Sequence, residues 1–172
     1  MVDTGKNNDE KDYNEYKYKE HHLYYEIWML FELEKELDKN KEKGVIKNAL
    51  LESFALHARN IINFLSNKEH KRYNNKCYDM KYKDFFKHAK NKGPFINYND
   101  VEDINNKINI EIVHLSKCRV MNKKTEWSTH EITSKLGAGI KKFMKEIEDA
   151  KVNFNSDYKK EINNVLKNNH LL

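Results

Sequence analysis

The chain has 172 residues, of which 34% are charged and 12% aromatic, with a net charge of +5 and a mean hydropathy of -0.98. That length holds one domain with a real core and leaves little room for two. The aromatic content argues against a disordered chain, since disordered segments are poor in such residues.

Residues 1–15 read as a flexible, polar lead. From Tyr16 to Leu37, the positions Leu23, Ile27, Leu30, Phe31, Glu34 and Leu37 recur at helical steps, giving an amphipathic helix with one polar intruder. DKNKEKG at 38–44 ends it, and Gly44 suits the turn. A second helix follows over 45–66. Ile46, Leu50, Phe54, His57, Ile61 and Phe64 or Leu65 form one apolar stripe, with Leu51, Ala55, Ala58 and Ile62 beside it. Asn48, Glu52, Arg59 and Asn63 form the narrow polar stripe that remains.

Residues 67–98 are the least regular part, with a short helix expected over 82–90 around Phe85 and Phe86. NKGPF then breaks the chain at Gly93 and Pro94. Asn99 or Asp100 is placed to cap a helix running to about Arg119, whose apolar side is Val101, Ile104, Ile108, Ile112 and Leu115. Ser128 and Glu131 make a capping-box pattern that opens a helix through Ile147, carrying Ile132, Leu136, Ile140 and Phe143. Gly137 and Gly139 inside it suit close helix packing. Residues 149–172 form a polar extension with room for a loose terminal helix on Phe154, Tyr158, Ile162, Val165 and Leu166. The fold expected is all-α: an antiparallel bundle of four to five core helices over 16–148.

Many chemistries lack their signature. There is no GxxxxGK[ST], GxGxxG, GxSxG or HExxH. His114 and Cys118 are spaced as half a zinc site, but nothing accompanies them, so neither metal nor cofactor is expected. Cys77 and Cys118 form no CxxC pair, the polar N-terminus is no signal peptide, and no apolar run approaches the roughly 20 residues that span a bilayer. The expectation is a reduced, cytoplasmic protein.

Two placements stand out. His57 lies on the main apolar stripe, where a neutral imidazole without a partner would be costly. It is either a satisfied core histidine or a proton-transfer group at a cleft. Arginine occurs only as Arg59, Arg72 and Arg119 in a lysine-rich chain, so each suggests a need for the planar guanidinium. Arg59 is either an ion-pair partner of Glu52 or a phosphate ligand. His114 and Arg119 repeat the pairing on a later helix.

ALLESFALHARNIINFL, then INNKINIEIVHLSKCR, Trp127 and ITSKLGAGIKKFM, resembles a group of small bacterial helical proteins. Their features are an ExxxxHARxxxxF helix, a VxHLxxxR helix and a tryptophan before the last helix, here Glu52 to Phe64, Val113 to Arg119 and Trp127. That group in turn resembles the HEPN superfamily. The resemblance implies a homodimer that binds and cuts RNA without metal, in phage defence or beside an antitoxin. His57 and His114 would then move protons, Arg59 and Arg119 would clamp phosphate, and Asn60 would assist. The chain departs from the family's Arg-x4-6-His motif, because Arg59 to His70 and Arg119 to His130 are both eleven apart. A site would have to be composite, drawn from two helices. The alternative is a non-enzymatic interaction module in which the same groups are structural.

Overall fold

The computed structural model describes residues 6–39, 44–66, 80–86, 92–113 and 127–171. Helix α1, Lys6–Lys39, is the spine. It begins ten residues before Tyr16, where a flexible lead was expected, because 6–17 contain neither proline nor glycine to stop it. Leu23, Ile27, Leu30, Phe31, Glu34 and Leu37 are all buried, as their spacing implies.

Helix α2, Val45–Leu65, runs antiparallel to α1, with His57 opposite Glu26 and Asn60 to Phe64 opposite His22 and Leu23. Phe54, Ala55, Ala58, Ile61, Ile62, Phe64 and Leu65 are buried. The stripe fails at its start, where Val45 is 85% and Ile46 71% exposed. Beyond α2, the Leu65 carbonyl accepts the N–H groups of both Phe95 and Ile96, at 3.0 and 3.4 Å. A 3-10 turn, Tyr82–Phe85, opens the span where the short helix was expected, and 87–90 lie outside the described residues. Phe64, Phe85, Phe86 and Phe95 all meet the Phe143 ring edge-on, with centroids 5.2–5.9 Å away.

The next helix starts later than its sequence suggests. Asn99 and Asp100 sit inside a 3-10 turn, Tyr98–Asp100, capped by Asn97 instead. Helix α3 then spans Glu102–Ile108 and continues as a π-helical turn, Asn109–Val113. Helix α4, Thr129–Asp149, does start after Ser128, but the hydroxyl makes no capping bond. Glu131 pairs with Lys135 at 2.9 Å, so no capping box forms.

Helix α4 also runs antiparallel to α1, with Gly137 against Phe31 and His130 against Glu34. A Cβ on Gly139 would run into Ile96, so this glycine does permit close packing. Helix α5, Ser156–Asn168, is capped by the Asn155 side chain, which accepts from the N–H groups of Asp157 and Tyr158. Far from loose, it buries Ile162 and Leu166 and stacks Tyr158 on Tyr24 of α1. The fold is thus an all-α helical bundle, and the described residues contain no strand.

Candidate functional site

Two helix rows build the site. On α1, His22 and Glu26 flank the main stripe and turn toward α2. On α2, His57 and Asn60 lie one turn apart and face that row. His57 Nδ1 stands 2.7 Å from Glu26 Oε2, and Asn60 Nδ2 donates to the same oxygen at 3.0 Å.

A carboxylate only accepts, so opposite an ionised Glu26 the Nδ1 carries the proton and donates. The bond to Glu26 also turns the Asn60 amide, leaving its Oδ1 on the other side. The Tyr25 ring stands edge-on to His57, with centroids 5.6 Å apart, and Tyr25 touches Trp28 in turn. His57 is therefore only 6% exposed. The cluster binds α1 to α2 and leaves the imidazole little access to an outside substrate.

Beside this cluster opens a cleft of about 180 Å³ lined by His22, Glu26, Asn60, Asn63 and an apolar floor that includes Phe64 and Met80. Arg59 is half-buried one residue before Asn60. Glu52 is exposed, and no ion pair joins it to Arg59. His114 and Arg119 lie outside the described residues, as does the His114–Cys118 spacing. Among the described residues on either side, Trp127 Nε1 donates to Glu111 Oε2 at 3.1 Å. Lys107 sits over the same indole at 4.8 Å. Trp127, one mark of the resemblance, thus ties the start of α4 to the π-helical turn.

Sequence reasoning missed Glu26. Its row mixes polar and apolar residues, which hides its inward face, and its partner lies 31 residues away. The one available signal was its position four residues after His22 and one before Ile27, at the border of the stripe.

Two other glutamates of α1 bind distant elements. Glu34, the intruder on the stripe, meets His130 Nδ1 of α4 at 3.1 Å. Glu20 is 4% exposed and accepts the Asn155 N–H at 3.2 Å. Burial raises the Glu20 pKa above the ordinary carboxylate value, and the Asn155 bond offsets part of that rise.

Among the described residues, no three His, Cys, Asp or Glu side chains group closely enough to hold a metal ion. No described helix is long and apolar enough to cross a membrane. No family model matches the chain, and no curated protein or solved structure is significantly similar to it.

Proposed function

We propose that this chain is a helical interaction module in which His57, Glu26 and Asn60 are structural and the outer edges of α1 and α2 receive a partner. The observation that carries the reading is a contrast along those two helices. The ionisable His57 is 6% exposed, while apolar Leu56, Tyr25 and Trp28 are 49%, 41% and 39% exposed. Large apolar groups left in water on adjoining helices are the usual mark of a docking face. A second copy of the chain is the simplest occupant, because most oligomers of soluble proteins are symmetric dimers. Light scattering on eluted protein tests it: wild type should run as a dimer at tens of micromolar (on the order of values for modest interfaces), and Trp28→Ser with Leu56→Ser as a folded monomer. A monomeric wild type that also captures no partner through this face would end the proposal.

One observation favours a second reading, the HEPN-like RNA-binding and RNA-cutting protein of bacterial defence or toxin–antitoxin type. Arg59 is half-buried on α2 with no described carboxylate in ion-pair range, which leaves its guanidinium for an outside anion. In that reading, Arg59 and Arg119 hold phosphate while His114 moves the proton. RNA cleavage by wild type, Arg59→Ala, Arg119→Ala and His114→Ala separates the readings. The enzymatic one needs activity that falls at least about a hundredfold in the folded variants.

A further inference from the structure

We infer that the α1–α2 cleft is a receptor site for an alkylguanidinium group, an arginine side chain or a free guanidino compound, held by Glu26, Asn60 and Asn63. The site is separate from the apolar edges above and does not depend on what covers them.

The cleft offers two fixed acceptors, Glu26 and Asn60, beside the Asn63 amide and the His22 ring, which can each accept or donate. Glu26 Oε2 is taken by His57 and Asn60, but Oε1 receives no hydrogen bond from the described residues. One N–H of the Asn60 amide goes to Glu26, and its Oδ1 has no donor among the described residues. The Asn63 amide and the His22 ring line the same walls with no hydrogen-bond partner among the described residues. No lysine or arginine among the described residues lines the cleft, so the single formal charge there is negative. In a chain of net charge +5, that local sign is opposite to the whole.

Such a lining selects a ligand rich in donors and positively charged. A guanidinium presents its donors in a planar fork, which can serve a carboxylate oxygen and two amide oxygens together, whereas an ammonium is a compact point charge. The apolar floor of Leu23, Ile61, Phe64 and Met80 suits the methylene stem. About 180 Å³ is room for one such group and little more.

A nucleobase fits less well. It needs a flat ring to stack on, and Phe64 is 4% exposed and held edge-on by Phe85 and Phe143, which leaves the His22 imidazole alone among the described lining residues. A phosphate fits worst, because it would meet the Glu26 carboxylate.

The test is a titration of the full chain, followed by amide chemical shifts, with argininamide and with citrullinamide, which has the same stem but no charge. Argininamide should saturate and move amides of residues 22–26 and 60–64, and citrullinamide should bind at least about tenfold more weakly. Asn63→Leu fills the cleft without touching the Glu26–His57 bond. It should weaken argininamide by a similar factor while the melting temperature holds. Glu26→Gln should do the same, and Asn63→Leu guards against its loosening the fold. Equal response to the two probes, or undiminished binding in Asn63→Leu, overturns the assignment. A capped Gly-Arg-Gly peptide identifies the source: tighter binding than argininamide means a partner's side chain, and equal or weaker binding means a free small molecule.

Discussion

The side chains that decide this molecule are carboxylates on one helix. Glu20, Glu26 and Glu34 each reach a different element: the start of α5, the middle of α2 and the start of α4. Removing the partner of a part-buried carboxylate leaves it desolvated and alone, which costs more than the bond itself is worth. His57→Ala should therefore cost about 2–3 kcal/mol, from the stranded Glu26 plus the vacated volume. Urea unfolding measures it, and a loss under about 0.5 kcal/mol would mean that the pair does not hold the helices. Glu20 behaves oppositely. Its raised pKa means that the folded chain binds the proton more tightly than the unfolded one, so stability falls as pH rises from the unfolded pKa and the loss is complete above the folded value. Glu20→Gln, whose amide oxygen can still accept from Asn155, should raise the melting temperature near pH 7. That advantage should shrink as pH falls and vanish below about pH 4, where both forms are neutral. A constant gain at every pH would refute the burial argument.

At the scale of helices, close approach depends on what is missing. A methyl on Gly139 would meet Ile96 and also stand 3.1 Å from Leu65. Gly139→Ala should therefore cost about 1–2 kcal/mol despite the better helical preference of alanine. Gly44→Ala, where a Cβ would meet nothing within 4 Å, should stay within about 0.5 kcal/mol of wild type by thermal melts. The α1, α2 and α4 stripes were legible because burial on one side of a helix imposes its period directly on the residues. Gly137 and Gly139 were legible as packing positions for the same reason. The caps were not, because Ser128 sits at the N-cap without a side-chain bond and Asn97 takes the capping role that the chemistry of Asn99 also suits. The π-helical turn after Ile108 has no signature in NIEIV either. Of the candidate site, His57 and Asn60 could be read as polar groups on an inward face. Glu26 could not, since pairing across helices depends on register, and register is set by the whole interface.

At the scale of the molecule, the charged tail is part of the structure. Helix α5 covers α1 with Ile162 and Leu166, both fully buried, and Lys159 reaches Glu148 of α4 at 2.6 Å. Ending the chain at Ala150 would uncover that flank of α1 and remove the Asn155 N–H from Glu20. The shortened protein should melt several degrees lower and bind a hydrophobic dye that the full chain ignores, since the loss of about 2 kcal/mol shifts a domain of this size by roughly 4–8 °C. An unchanged melting curve would make the tail an ornament. The double acceptance at the Leu65 carbonyl has its own consequence for anyone wishing to rebuild this protein. Phe95 and Ile96 return the chain to the end of α2 at one carbonyl, and Phe85 and Phe86 are already packed on Phe143 before that return, so a cut between Ser66 and Met80 leaves both banks held by the same core. A protease site written into that span should yield two pieces that elute together, and new termini opened there should make a permuted chain that folds as the parent does.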